Sequence, residues 1–354
     1  MNILITGICG YVGSRMAHHL IQSIPGSSIA GIDNLSRRGS EINVPLLTKL
    51  GVKVIHGDVR SKADLNALTK ADWVIDCAAN PSVLAGLSDG YTSEQLIGHN
   101  LIGTLNILEY CKRHSAGLVL LSSSRVYSID KLTTLPLEEK ATRLELKASA
   151  AGTMKGLTQR GIAEDFSTAA PISLYGATKL SSEVMALEYG SAYGFPVWIN
   201  RCGVIAGPGQ FGKIDQGIFS FWVYSCLLGR KLKYYSYGGK QVRDCVSAED
   251  VARLVAMQMA QPSKKVAPIV NVGGGMKNAL SLIELTKLCE KYSSTRVEVE
   301  TMQEARKYDI PFYVTDCSLA GEIWNWKPAA PVEEIIEAIA AWGKKNIGFI
   351  ERLL

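Results

Sequence analysis

Tyr175 and Lys179 stand four residues apart in a run with helical spacing, which puts both side chains on one helical face. A tyrosine with its ordinary pKa of ~10 is a poor base at neutral pH. A neighbouring ammonium favours the phenolate. One charge at ~4 Å in an effective dielectric of ~20 contributes about 4 kcal/mol, so a drop of roughly three pKa units is the upper bound. Near working pH such a group is useful as a general base. About fifty residues earlier, Ser122, Ser123 and Ser124 close an apolar run that reads as a strand. Strand ends are where an open α/β sheet places its ligands. A hydroxyl there can polarise the substrate oxygen that the tyrosine deprotonates. Together these side chains permit oxidation of an alcohol, with hydride passing to a nicotinamide.

A dinucleotide site precedes them. Thr6-Gly7-Ile8-Cys9-Gly10-Tyr11-Val12-Gly13 follows the first apolar run and opens the first helical one. Gly7 permits the tight turn, Gly10 lets the backbone approach a pyrophosphate, and Gly13 allows close helix–strand packing. The spacing is G-x-x-G-x-x-G, and glycines alone mark any tight turn. The context adds weight, because Asp33 ends the second strand 20 residues after Gly13. A carboxylate there accepts both ribose hydroxyls of NAD and repels the 2′-phosphate of NADP. Arg37 and Arg38 keep an NADP reading open. Asp58, at the end of Val-Ile-His-Gly-Asp, is positioned to accept from the adenine amino group.

The elements that must carry these residues alternate. Strands are expected at Asn2–Ile5, Ser28–Ile32, Val52–His56, Trp73–Ala78, Leu118–Ser122, Pro196–Arg201, Ile269–Val272 and Val297–Thr301. Helices are expected at Tyr11–Ile24, Glu94–Arg113, Leu174–Tyr193, Gln216–Leu228, Ser281–Tyr292 and Val332–Lys345. This βαβα order predicts an α/β fold, a Rossmann-type doubly wound parallel sheet with a smaller C-terminal α/β substrate-binding lobe. The dinucleotide domain is expected to span 1–204 with 242–275 returning to it, and the lobe 205–241 and 276–354. Residues 128–171 read as a surface excursion with a helix of its own.

Composition excludes other classes. The 354 residues are 47% hydrophobic and 20% charged, which argues against a disordered or coiled-coil chain. No apolar run approaches the ~18–20 residues of a membrane span, and no leader-like segment opens the sequence. The expectation is a cytoplasmic protein with reduced cysteines, since none of the eight forms a C-x-x-C pair. The five histidines lack metal-ligand spacing, so no metal is expected. A net charge of +5 with scattered Lys and Arg indicates no nucleic-acid stripe and suits an anionic small molecule.

These motifs resemble, over nearly the whole chain, the extended short-chain dehydrogenase/reductases of the NAD-dependent sugar epimerase/dehydratase family. The marks are TGICGYVG, Asp33, GDV at 57–59, CAA at 77–79, Asn100, SSSRVY at 122–127, YGATK at 175–179 and RDCVSAEDV at 243–251. The resemblance implies NAD as cofactor, bound by Thr6, Gly7, Gly10, Tyr11, Val12, Gly13, Asp33, Asn34, Ser36, Asp58, Val59, Ala78, Ala79, Asn100, Ser122, Tyr175 and Lys179. It implies Ser123, Tyr175 and Lys179 as the catalytic set, with Ser124 the alternative hydroxyl. It also implies a homodimer through the helices near 94–113 and 174–193.

Within the family, sugar 4,6-dehydratases carry Asp-Glu directly after the catalytic Thr, and nucleotide-glucuronate decarboxylases a nearby Glu. Here Ser124 and Arg125 stand in those places, which disfavours elimination. Val204 stands where 4-epimerases often have Asn. The stretches DNLSRRG at 33–39, GPGQFGKIDQG at 207–217 and NVGGGMKNALSLIEL at 271–285 are similar to the branch of CDP-tyvelose (CDP-paratose) 2-epimerases. That branch implies C2 epimerisation of a CDP-hexose through a transient keto sugar. Substrate contacts would come from Ser124, Gln210, Gln216 and Arg243, with Lys213 and Asp215 in the same loop. Tyr234, Tyr235 and Tyr237 read as packing residues more readily than as base-stacking ones. Another nucleotide-sugar enzyme, such as a 4-epimerase or a reductase, and a non-catalytic dinucleotide-binding sensor are the alternatives. The intact Tyr175, Lys179 and Ser123 argue against the last.

Overall fold

The structure is a computed structural model that describes residues 1–85, 92–213, 216–303 and 306–354, with Leu353 as backbone only. The chain opens with β1 (Asn2–Thr6), α1 (Tyr11–Ser23), β2 (Ser28–Asp33), β3 (Lys53–His56) and β4 (Trp73–Asp76). It continues with α2 (Gly103–His114), β5 (Gly117–Ser123), α3 (Ser173–Tyr193), β6 (Val197–Cys202), β7 (Val204–Ala206) and α4 (Ile218–Leu227). The last third holds β8 (Val242–Ser247), α5 (Ala248–Met259), β9 (Ile269–Val272), β10 (Ala279–Ser281), α6 (Leu282–Ser293), β11 (Phe312–Tyr313) and α7 (Val332–Lys345).

Seven strands form one parallel sheet in the order β9-β6-β5-β4-β1-β2-β3. Strand β1 shows why its apolar run is continuous. Ile3 and Ile5 pack into a core with α1 and α5, while Leu4 faces the opposite core with α2 and α3. Alternate side chains point to opposite faces, and both faces are covered, so every position must be apolar. Each such burial contributes about 1.5–3 kcal/mol. Strand order reverses between β1 and β4, which opens a crevice above their carboxyl ends.

A second sheet joins β7, β8, β10 and β11, with β8 parallel to β7 and β11 and antiparallel to β10. Helices α4, α6 and α7 pack beside it around Phe219, Trp222, Leu285 and Ile336. The segment 242–275 therefore divides. Val242–Ser247 pairs in the small sheet, and the chain returns to the large sheet only with α5 and β9. The backbone of β8 finds its partners in the small sheet.

The excursion contains a short helix, Ile129–Thr133, and two small hairpins. Its Leu132, Leu157, Ile162 and Phe166 pack against Val242 and Phe312 of the small sheet. The helix expected over 94–113 is built in three parts: Ser93–Ile97, a π turn at Gly98–Ile102, and α2. No helix among the described residues is long and apolar enough to cross a membrane.

Candidate active site

The loop between β1 and α1 is set by contacts that exclude side chains. Gly7 adopts φ +63°, and its N–H donates to the Ile32 carbonyl at 2.9 Å. A Cβ on Gly13 would lie 2.3 Å from the Gly7 carbonyl oxygen, and one on Gly10 3.1 Å from it. Gly10 caps α1 without a side chain, so the first N–H groups of the helix remain available to an anion. Thr6 does not reach the cleft. Its buried hydroxyl donates to Asp76 Oδ1 at 2.7 Å and accepts from the Ala78 N–H at 3.1 Å, tying β1 to β4.

Asp33 accepts the Cys9 N–H at 2.9 Å on one oxygen and the Leu35 N–H at 2.8 Å on the other. An ionised carboxylate has about four acceptor sites, so each oxygen keeps capacity for a ribose hydroxyl. Asn34, Ser36, Val59, Ala78 and Ala79 line the same cleft with Gly7, Gly10, Tyr11, Val12 and Gly13. Asp58 does not. Its carboxylate accepts from Asn34 Nδ2 and from the Arg60 N–H and guanidinium, and its neighbours Gly57 and Val59 line the cleft instead. Asn100 is also turned aside. It lies in the π turn, bonds both the N–H and the carbonyl of Asn80, and donates to Thr178 Oγ1. It therefore braces the Asn80 loop against α3, while His99 takes the place on the cleft wall. The glycine cradle, the helix terminus and the spare acceptors of Asp33 fit a dinucleotide.

A second cavity adjoins the first; the two share Val12, Cys77, Ala79, Pro81, Gln210 and Gln216. Tyr175, Lys179 and Glu183 follow one another at four-residue intervals along α3, and all are buried. Tyr175 and Lys179 line the cavity. Ser123 lines the cavity with Tyr175 and is the side chain that most lowers the Tyr175 pKa, and Ser123 Oγ accepts the Arg125 N–H at 3.1 Å. Of the two candidate serines it is thus Ser123 that faces the tyrosine, with Ser124 on the cavity wall beside it. Ser122 also lines the cavity, but its hydroxyl donates to Glu183. Glu183 is held bidentately by Arg201, with Nη2 at 2.7 Å. The acidity of Tyr175 differs from the sequence expectation. Burial pushes its pKa up, and the groups that pull it down are Ser123 and Arg125.

On the lobe side, Arg243 donates to Asp309 Oδ1 at 3.0 Å and to the Ile310 carbonyl at 2.7 Å. Burial lowers its pKa to about 10 while Asp309 opposes the change. Gln210 lines both cavities; its amide donates to the Ile205 carbonyl and accepts from Ser220. Gln216 also lines both and accepts from Arg37. Arg37 donates to the Phe211 carbonyl as well, and Arg15 to the Pro208 carbonyl. These bonds tie Pro208, Phe211 and Gln216 to Arg15 and Arg37 beside the dinucleotide cleft. Arg38 donates to the Arg352 carbonyl, so both arginines behind the NADP reading bond to lobe residues. Lys213 is exposed and outside both cavities; Asp215 lies outside the described residues. Tyr234 stacks on Trp222 with its hydroxyl on Thr286, a packing role, whereas Tyr237 is exposed.

Sequence reasoning missed Asn43 and His99 on the cleft wall, and Arg306, Lys307 and Asp309 in the second cavity. Asn43 donates to the Cys9 carbonyl at 2.8 Å and so steadies the phosphate loop. It sits at the start of a short helix, Asn43–Lys49, that no periodicity announces.

A model of the NAD dependent epimerase/dehydratase family matches residues 3–273. The CDP-paratose 2-epimerase of Salmonella typhi is 29% identical to this chain, across 97% of it and 99% of that protein. A UDP-glucuronate 4-epimerase of Thermodesulfobacterium geofontis is 27% identical, across 99% of this chain and 98% of that one. Among solved structures, the UDP-glucuronic acid 4-epimerase of Bacillus cereus, in complex with UDP-glucuronic acid and NAD, superposes with a TM-score of 0.76. It is 22% identical and covers 98% of this chain and 99% of that one.

Proposed function

The chain belongs to the NAD-dependent epimerase/dehydratase family, and on that premise we propose that it inverts C2 of a nucleotide sugar, a CDP-hexose of the paratose/tyvelose type. The observation that carries this reading is the chemistry of the sugar cavity. Among the described residues lining it the one carboxylate is Asp309, and Asp309 is paired with Arg243. Elimination of water needs an acid–base group beside the reacting carbon, and Ser124 and Arg125 stand beside Ser123 instead. The likeness to the Salmonella 2-epimerase over its full length supports the same reading.

NAD, when bound, supplies the acceptor and donor of a hydride. Tyr175 takes the hydroxyl proton, Ser123 holds the same oxygen, and the two keep the carbonyl oxygen fixed while the planar ketone presents its other face. Lys179, buried beside them, adds positive charge on the same helical face. Arg243 offers its fork to the diphosphate. Residues 1–204, with α5 and β9, serve the dinucleotide, and the lobe serves the nucleotide sugar. Two copies pair through the helices at 93–114 and α3, where Ile97, Ile102, Val184 and Tyr193 are exposed. The eight unpaired cysteines suit the reducing cytoplasm.

A CDP-hexose deuterated at C2, incubated with the protein in ordinary water, tests the proposal. Deuterium retained at an inverted C2 is the expected result. Washout into solvent, or inversion at C4 with C2 untouched, refutes it and moves the protein toward the 4-epimerase branch.

A further inference from the structure

Arg125 lines the sugar cavity beside Ser123 and Ser124, and the proposed reaction leaves it without a task. Its backbone is fixed on two sides. The Arg125 N–H donates to Ser123 Oγ at 3.1 Å, within the short turn that follows β5. Its carbonyl packs on α3, since a Cβ on Gly176 would lie 2.3 Å from that oxygen. The guanidinium is held at one point, where Nη1 donates to the Tyr308 carbonyl at 3.2 Å.

The next two residues, Asp309 and Ile310, hold the Arg243 guanidinium. Its Nη2 donates to Asp309 Oδ1 at 3.0 Å and to the Ile310 carbonyl at 2.7 Å, and its Nη1 to the Val242 carbonyl at 2.8 Å. Residues 308–310 therefore gather two guanidinium groups, one from the turn after β5 and one from β8. A guanidinium carries five N–H donors. Arg243 spends three bonds on these protein acceptors, whereas Arg125 spends one, and its Nε and Nη2 meet no acceptor among the described residues. The balance of charge points the same way. Among the described residues lining the cavity, Arg125, Lys179, Arg243, Arg306 and Lys307 stand against one carboxylate, Asp309. Charges drawn out of bulk water call for a partner of opposite sign.

We propose that Arg125 is a substrate-binding residue, its open Nε and Nη2 donors taking the diphosphate of the nucleotide sugar beside Arg243. The diphosphate is the multiply charged part of such a substrate. Arg243 brings charge to it with most of its fork already committed. Arg125 brings both charge and a planar edge that matches two phosphate oxygens.

The inference rests on the reading of the substrate as a nucleotide sugar and on no choice of reacting carbon. Isothermal titration of the NAD-loaded protein with CDP, UDP, GDP and dTDP selects the diphosphate it binds tightest, and the matching nucleoside serves as control. Arg125→Met should weaken that diphosphate about tenfold or more, the loss expected for bonds to a charged group, with nucleoside affinity unchanged. Arg125→Lys, which keeps the charge and loses the fork, should fall between. An unchanged diphosphate affinity in Arg125→Met, or an equal loss for diphosphate and nucleoside, overturns the proposal and leaves the nucleotide-sugar reading standing. Binding of none of the four by the wild type overturns that reading as well. Should Arg125→Met fail to fold, Arg125→Gln keeps a donor toward Tyr308 without the charge, and the same comparison decides.

Discussion

Ser122 and Glu183 are joined by a buried hydrogen bond that runs from the end of β5 to the middle of α3. Adjacent serine hydroxyls therefore serve different ends: Ser122 bonds Glu183, and Ser123 lines the cavity with Tyr175. Glu183 lies two helical turns beyond Tyr175 on the same face, so one bond sets the strand end against the helix that carries Tyr175.

Glu183→Ala should be costly for that reason. It leaves the Arg201 guanidinium, only 6% exposed, without its carboxylate. Removing one partner of a buried pair costs about 3–5 kcal/mol. Urea unfolding would show the loss. Ser122→Ala keeps the ion pair intact and should cost about 1 kcal/mol, with a larger fall in turnover than in stability.

Tyr175→Phe removes a hydroxyl and little volume. Turnover should fall on the order of 10²–10⁴, while the NAD released on denaturation stays at the wild-type level. Near-normal turnover would assign the base elsewhere.

Gly13→Ala tests the cradle. The new methyl would meet the Gly7 carbonyl at 2.3 Å, a backbone atom that cannot swing away. The loop must open, and copurified NAD should drop severalfold with little change in far-ultraviolet circular dichroism.

Much of this architecture was legible because its signals are local. The apolar runs of β1, β4 and β5 and the glycine spacing of the first turn depend on neighbours a few residues away. The lobe was harder. β8 is short and finds its partners in β7, β10 and β11, from three separate parts of the chain. The α5 helix has a readable start, Ser247 accepting the Asp250 N–H, that the apolar spacing alone does not reveal. In the site, residue types were readable but side-chain direction was not. Thr6, Asp58 and Asn100 carry fitting groups, yet Asp76, Arg60 and Asn80 claim them.

The Asp58–Arg60 contact gives a pH prediction. Hydrogen bonds from the Arg60 side chain hold the Asp58 carboxyl well below the usual carboxylate range. The unfolded chain has an aspartate near ~4, so it binds more protons than the folded chain in acid. Stability from this contact is complete above that value and is lost as pH falls through the folded one. Arg60 is 42% exposed at its side chain, so screening keeps the effect small. Asp58→Asn should lose less stability than wild type between about pH 5 and pH 2 in urea midpoints. Parallel losses in the two proteins would discard this assignment.

The loop bolted by Arg15 and Arg37 has a kinetic consequence. On the function proposed above, a dinucleotide beneath it would exchange less freely than one in an open cleft, and each molecule would work with the single copy it carries. On the reaction proposed above, a keto sugar that escaped halfway would leave its host with reduced cofactor, and fresh oxidised cofactor in solution would have no ready way in. Activity would decay with the number of cycles completed rather than with time on the bench, and the lifetime of a preparation would measure how tightly the cavity grips its intermediate.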